Sequence, residues 1–221
     1  MNISAIITAA GFGHRFGEKK QFKLLNKKPL YQYSLNVFLQ SDMIDEIILV
    51  VPIENKKVIK QDLRKFSQKK IKVISGGTSR IDSVKKGVIS SSSNSELVVI
   101  HDAARPFVTK SLIKESIVAC RKADGSIIAL PTVDTVKYSS SNIIEKTINR
   151  KHVWLAQTPQ AFNKKKLLLA YKNILNHNFN FTDESSIMEK MGFKISIVIG
   201  SENNFKVTTH YDWDRARASL R

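Results

Sequence analysis

Arg15 and Lys20 stand close together, directly after the run Ala9-Ala10-Gly11-Phe12-Gly13. Small residues leave room for a ligand against the backbone, and free amides in such a loop can cradle phosphate oxygens. Two fixed positive charges beside it suit a polyphosphate, because charge must be neutralised where it develops during phosphoryl chemistry. Two common phosphate motifs do not fit. A dinucleotide fingerprint needs a third Gly where Phe16 stands, and a Walker loop needs Lys where Glu18 follows Gly17. Without a ligand, the same residues would make a tight strand-to-helix turn with solvated cations.

Further polar residues recur where strand-like runs end. In His101-Asp102-Ala103-Ala104-Arg105-Pro106, Asp102 could orient a hydroxyl or help hold a metal, and Arg105 could bind phosphate. The alternative is an Asp–Arg pair that fixes a turn. His101 has no His or Cys partner at ligand spacing, which points to a structural role. Thr182-Asp183-Glu184 reads as a helix start with acidic first-turn residues, a substrate contact by Thr182 being the other reading. Thr158-Pro159-Gln160 reads as a turn. Lys206 reads locally as a solvated surface group. No Ser–His–Asp set is present, and Cys120, the only cysteine, has no convincing His partner.

The elements that must position these residues alternate. Strands are expected at 3–8, 46–51, 71–74, 97–100, 126–130 and 195–199. Helices are expected from Pro29, over 54–66, from Ser79 or Arg80 to Ile89, and over 111–122. Others follow from Lys164 to about Leu175, around 183–191, and from about Tyr211. Such alternation implies an α/β fold with a mostly parallel, Rossmann-like sheet and helices on both faces. Ligands in such sheets bind beyond the carboxyl ends of strands, where the glycine loop, Gly76-Gly77 and Asp102 would converge. Residues 132–155 break the rhythm. Thr135-Val136-Lys137-Tyr138 and Ile143 to Ile148 alternate weakly around Ser139-Ser140-Ser141-Asn142, as in a protruding β-hairpin. A hairpin with little apolar content cannot stand alone in water, so it would lean on another subunit or a ligand.

The 221 residues suffice for one α/β domain spanning 1–221, and no linker or repeat divides them. The apolar runs are of strand length, so no membrane span is expected. No cleavable leader is expected either, and a single cysteine agrees with a cytoplasmic location. Lys and Arg number 36 against 19 Asp and Glu, a net charge of +17. These lysines are scattered in pairs and triplets, without a long basic block or an RNA-binding aromatic signature. A solvated surface whose field attracts an anionic small substrate is therefore favoured over a nucleic-acid face.

Taken together, the motifs resemble those of the 2-C-methyl-D-erythritol 4-phosphate cytidylyltransferase family, within the nucleotide-diphospho-sugar transferase superfamily. The resemblance rests on Ala9 to Gly13 with Arg15 and Lys20-Gln21, Gly76-Gly77 with Arg80 and Asp82-Ser83-Val84, and His101 to Pro106. It continues through Asp134-Thr135, Arg150, Trp154, Thr158-Pro159-Gln160, Thr182-Asp183-Glu184 and Asn204-Phe205-Lys206-Val207-Thr208. It implies transfer of CMP from CTP to methylerythritol 4-phosphate, with release of pyrophosphate, in non-mevalonate isoprenoid precursor synthesis. Mg²⁺ or another divalent cation, held mainly by the CTP phosphates, is implied as cofactor, with no protein ligand to the metal assigned.

The resemblance also implies roles. Arg15 and Lys20 would stabilise charge on the phosphates. Ala9, Ala10, Gly76 and Ser83 would frame cytosine and ribose, beside Gly11, Phe12 and Gly13. Asp102, Arg105, Thr135, Arg150, Thr158, Thr182 and Lys206 would surround methylerythritol phosphate, with Arg150 and Lys206 placing its phosphate for attack. The 132–155 arm would reach across a two-fold homodimer. Where the family usually has Pro before the loop lysine, Lys19 stands here, and Ser186 replaces a usual Ala. The nearest rival is a ribitol-5-phosphate cytidylyltransferase, and the remote one a non-catalytic nucleic-acid-binding protein.

Overall fold

An uncharged, Ile-rich segment at the start of the chain forms β1 (Asn2–Thr8), the strand against which the rest is assembled. A computed structural model describes residues 1–13, 15–65, 70–173 and 181–220. After the glycine loop come the short strands β2 (Leu24–Leu25) and β3 (Lys28–Pro29), an antiparallel pair that the sequence pattern does not announce. Helix α1 (Leu30–Leu39) then begins directly after Pro29, as expected. Strand β4 (Glu46–Val51), helix α2 (Lys56–Asp62), strand β5 (Lys70–Ser75) and helix α3 (Arg80–Ser90) follow. The expected end of the second helix at Phe66 lies outside the described residues.

The second half runs β6 (Ser95–Asp102), α4 (Lys110–Cys120), β7 (Gly125–Pro131), β8 (Val136–Tyr138) and β9 (Lys146–Ile148). It ends with β10 (Trp154–Asn163), α5 (Lys164–Asn173), α6 (Glu184–Lys190), β11 (Ile195–Ile199) and α7 (His210–Ala218). The expected last turn of α5 at 174–175 also lies outside the described residues. Side-chain caps fix several helix starts. Ser79, Thr109 and Asp183 each accept a backbone N–H, from Asp82, Leu112 and Ser186 respectively. Thr209 and Asp212 form a reciprocal capping box on α7.

Seven strands make one sheet in the order β11-β7-β10-β6-β1-β4-β5. Strand β1 pairs in parallel with β4 and β6, and β4 with β5, and β7 and β11 run the same way, so six strands point their carboxyl ends to one edge. Strand β10 runs antiparallel between β6 and β7. The turn expected at Thr158-Pro159-Gln160 is thus corrected to the middle of a ten-residue strand. Its pairing shifts register between Gln157 and Gln160, where the Thr158–Pro159 peptide bond is cis. Proline cannot donate to a ladder, which is why such residues sit at irregularities.

Alternation along the strands sorts the core into two layers. Ile3, Ala5 and Ile7 face α1, α2 and α4, with Leu35, Phe38, Ile59, Ile113 and Ile117. Ile6, Ile48, Val50 and Ile100 face α3, α5 and α6, with Val84, Val88, Leu167, Ile187 and Met188. A third, small cluster joins Phe16 and Leu30 to Val207 and Trp213 of the C-terminal segment. It ties the end of the glycine loop to α7, and Phe16 stacks against His210 and Trp213. Strands β8 and β9 form the arm, a separate antiparallel pair shorter than the segments expected from sequence. Among the described residues, no helix is long and apolar enough to cross a membrane.

Candidate active site

Three backbone bonds fasten together the loops beyond the sheet's carboxyl edge. Ala9 donates to Val50 O at 2.7 Å, Gly76 to Val51 O at 2.9 Å, and Ala103 to Thr8 O at 3.0 Å. The loops after β1, β5 and β6 therefore meet, and a cavity of about 380 Å³ opens between them. Gln21 is buried and braces the glycine loop from within. Its amide Nε2 donates to Ala9 O at 2.9 Å and to Gly11 O at 2.8 Å, leaving the loop's outer face for a ligand. Gly76 is required at its position, because a Cβ there would overlap that of Ala10 and come within 2.8 Å of Ser83 Oγ. Ser83 in turn accepts from Gly77 N at 3.0 Å and donates to Ser79 O at 2.9 Å.

One wall of the cavity is cationic, carrying Arg15, Lys20 and Lys206. Burial, followed by repulsion from Lys206 and Arg15, lowers the Lys20 ammonium from its ordinary value. Asp102 is the acidic residue in the lining. Burial works against its carboxylate, but the Lys206, Arg80 and Arg105 charges outweigh that and hold it well below the usual range. Lys206 Nζ lies 2.7 Å from Asp102 Oδ2, and Arg80 Nε 3.2 Å from Oδ1. Lys206 owes its place to stitching of the C-terminal segment onto the loop after β6. Val207 N donates to Ala104 O at 2.8 Å, and Arg105 Nη1 to Asn204 O at 2.8 Å.

A site with a glycine-bearing loop, a cationic wall and one paired carboxylate suits a nucleoside triphosphate and a second anion. The comparisons are specific about which. The sequence profile of the 2-C-methyl-D-erythritol 4-phosphate cytidylyltransferase family matches residues 3–221. The chain belongs to that family. Proteins of the same name from Syntrophus aciditrophicus (strain SB) and Caldanaerobacter subterraneus subsp. tengcongensis are similar to it. The first is 38% identical over 224 residues, 99% of this chain and 96% of the relative. The second is 37% identical over 226 residues, spanning both chains in full. The crystal structure of 4-diphosphocytidyl-2C-methyl-D-erythritol synthase from Anaerococcus prevotii DSM 20548 is 34% identical. It superposes with a TM-score of 0.90, over 99% of this chain and 96% of that one.

Of the residues that the cytidylyltransferase resemblance singled out, Ala9, Ala10, Gly11, Phe12, Gly13, Arg15, Lys20, Ser83, Asp102 and Lys206 line the cavity together. Gly76 sits just behind it, against Ala10 and Ser83. The remaining ones lie elsewhere in this chain. Thr135 and Arg150 are exposed on the arm, and Arg150 donates to Val133 O. Thr182 is exposed ahead of the Asp183 cap of α6. Arg105 braces backbone carbonyls, reaching Asn204 O and, at 3.3 Å, Ala156 O. Thr158 is buried, its hydroxyl engaged by Asp102 N at 3.1 Å and His101 Nδ1 at 3.0 Å.

The structure adds Thr8, Thr78, Ser79 and Arg80 to the lining. Arg80 was visible only as a motif member, and the sequence pattern gave it no task. Behind it stands Glu184, wholly buried, whose Oε2 accepts from Arg80 Nη1 at 2.8 Å. Lys19, at the family's usual proline position, has a φ of −73° and pairs through its ammonium with Glu54 beside α2. The backbone thus keeps a proline-compatible angle while the side chain ties down the loop's end.

Proposed function

We propose that this chain transfers CMP from CTP to 2-C-methyl-D-erythritol 4-phosphate, giving 4-diphosphocytidyl-2-C-methyl-D-erythritol and pyrophosphate. The observation that carries the reading is the cationic wall of Arg15, Lys20 and Lys206 around the glycine loop and Asp102, in a chain of this family. An oxygen of the methylerythritol phosphate attacks the α-phosphorus of CTP. The bond from that phosphorus to the bridging oxygen breaks, and pyrophosphate carries the electron pair away. The nucleophile is already an anion, so no strong base is needed. The difficulty is to bring two anions together, and fixed positive charge with positioning answers it.

Arg15 and Lys20, beside the loop amides, neutralise charge on the triphosphate and on the departing pyrophosphate. Lys206 receives the phosphate of the second substrate, and Asp102 orients its hydroxyls. The part of the cavity lined by Ala9, Ala10 and Ser83, with Gly76 packed behind them, takes the cytosine and ribose. A divalent cation such as Mg²⁺ would, when bound, neutralise further charge on the triphosphate. Among the described residues no cluster of three His, Cys, Asp or Glu side chains could hold a metal, and Asp102 is already paired twice. That donor set fits an ion carried by the triphosphate oxygens and water.

The arm supports a homodimer as the working form. Val133, Ile143, Ile144 and Leu155 are all more than half exposed on or beside it, and Arg150 stands outside its own chain's cavity. A two-fold partner would cover the apolar residues and bring Arg150 and Thr135 to the other subunit's cleft. A cytoplasmic location follows the same reading, since free CTP is an intracellular substrate. Pyrophosphate release from CTP, measured with methylerythritol 4-phosphate and with ribitol 5-phosphate in turn, tests the assignment. Turnover with the first and little with the second is expected, and the reverse preference would overturn it.

A further inference from the structure

Asp102 divides its two carboxylate oxygens between two cations, and the cations differ in what lies behind them. Oδ2 takes Lys206 at 2.7 Å, from a partly exposed side chain that faces the cavity. Oδ1 takes Arg80 Nε at 3.2 Å, with Thr8 Oγ1 at 3.3 Å. Arg80 is itself fixed from the far side by Glu184 at 2.8 Å. The Glu184 side chain is 0% exposed, and its other oxygen lies 3.4 Å from the hydroxyl of buried Tyr171. A carboxylate so enclosed needs its cation, because an unpaired buried charge is strongly destabilising. Arg80 is therefore not free to follow a ligand, whereas Lys206, among the described residues, pairs with Asp102 alone.

Resting on the reading of Lys206 as the receiver of the second substrate's phosphate, we infer that Arg80, anchored by Glu184, is a positioning residue that shares Asp102 and so releases Lys206 to the substrate. A lysine paired alone with a buried carboxylate must break that pair to bind a phosphate. With Arg80 on the other oxygen, Asp102 keeps a partner when Lys206 turns away, so the exchange leaves no buried charge unpaired. A guanidinium is suited to the task, because Nε and Nη1 can bond two different carboxylates in one plane. Lysine cannot span both.

The test is a double-mutant cycle with Arg80→Lys and Asp102→Asn, read as kcat/KM for methylerythritol phosphate and KM for CTP. In the wild-type background, Arg80→Lys is expected to lower kcat/KM for the polyol phosphate about ten-fold, with a smaller change for CTP. In the Asp102→Asn background the same change should cost less than about two-fold, because the shared partner is gone. Equal losses in both backgrounds would make Arg80 an independent substrate contact and overturn the inference. A second readout needs no turnover: the rate at which an amine-acylating reagent labels Lys206, followed by peptide mass spectrometry. Labelling should slow in Arg80→Lys, whose single ammonium cannot hold both Glu184 and Asp102 and so leaves Lys206 to hold Asp102 alone, and quicken in Asp102→Asn. Unchanged labelling in Arg80→Lys would refute the sharing of Asp102, even if wild-type turnover showed the substrate to be another polyol phosphate.

Discussion

His101 Nδ1 lies 3.0 Å from Thr158 Oγ1, the middle contact of a chain of hydrogen bonds that engages both ring nitrogens. The other ring nitrogen, Nε2, lies 3.1 Å from Arg105 O, which can only accept. Nε2 therefore carries the hydrogen and Nδ1 is the acceptor. Thr158 donates to Nδ1, so its oxygen accepts from Asp102 N at 3.1 Å. A neutral imidazole thus links the backbone of Arg105 to the backbone of Asp102.

Burial, the largest influence, pushes the His101 imidazole down to about 4. An unfolded histidine takes up its proton near 6.5. Between those values the unfolded chain binds more protons than the folded one, so stability falls as pH drops from about 6.5 to about 4. The loss amounts to about 3 kcal/mol across the window. Thermal unfolding of wild type and His101→Asn between pH 7 and 4.5 checks this. The wild type should lose more stability on acidification than the variant, and parallel curves would count against a neutral histidine.

Lys20→Ala should lower kcat by about 10²–10³ with a lesser change in CTP binding, because its charge is assigned to the transition state. The side chain lies over the Phe16 ring, 5.7 Å from the centroid, within the cluster joining loop and α7. Steady-state kinetics with CTP varied separates the possibilities. A near-normal kcat with only a raised KM would make Lys20 a ground-state binder.

Gly76→Ala should weaken CTP binding while sparing the fold. The added methyl meets Ala10 Cβ and Ser83 Oγ, and relieving it moves one wall of the nucleotide pocket. Overpacking of this kind typically costs about 1–3 kcal/mol. Calorimetric titration with CTP should show a weaker complex in a protein with near wild-type circular dichroism. Unchanged affinity would remove Gly76 from the nucleotide pocket.

Arg150→Ala and Lys20→Ala, each inactive alone, should complement each other if the arm serves the partner's site. In a mixed dimer one site then receives both defects and the other neither. Random exchange in an equal mixture makes about half the dimers mixed, so activity should return to about one quarter of wild type. Differently tagged chains verify the exchange. Mixed dimers that form and stay inactive would place Arg150 in its own chain's site, or show that the arm serves only assembly.

The sequence revealed what periodicity can carry. β1, β4 and β6 are apolar runs, their ends coincide with the glycine loop and Asp102, and the cavity opens there. Strand β10 was hidden because Gln157, Thr158, Pro159 and Gln160 are polar or turn-forming, and only pairing with β6 and β7 makes them a strand. Glu184 reads locally as a first-turn acid on α6. Its burial depends on Arg80, which lies 104 positions away in sequence, and no local pattern records that. Thr158 is named as a ligand contact by the family resemblance alone, and the bonds of its hydroxyl to Asp102 N and His101 Nδ1 join residues 56 and 57 positions apart, which no local pattern records.

The arm leaves the sheet at Pro131 and rejoins it at Trp154, and these two residues face each other across one rung of β7 and β10. The excursion therefore begins and ends at a single point of the ladder. Its length enters no register between strands, and neither core layer runs through it. Changes of length within residues 132–153 therefore leave the β7–β10 pairing in place, whereas replacing the segment would also remove Thr135 and Arg150.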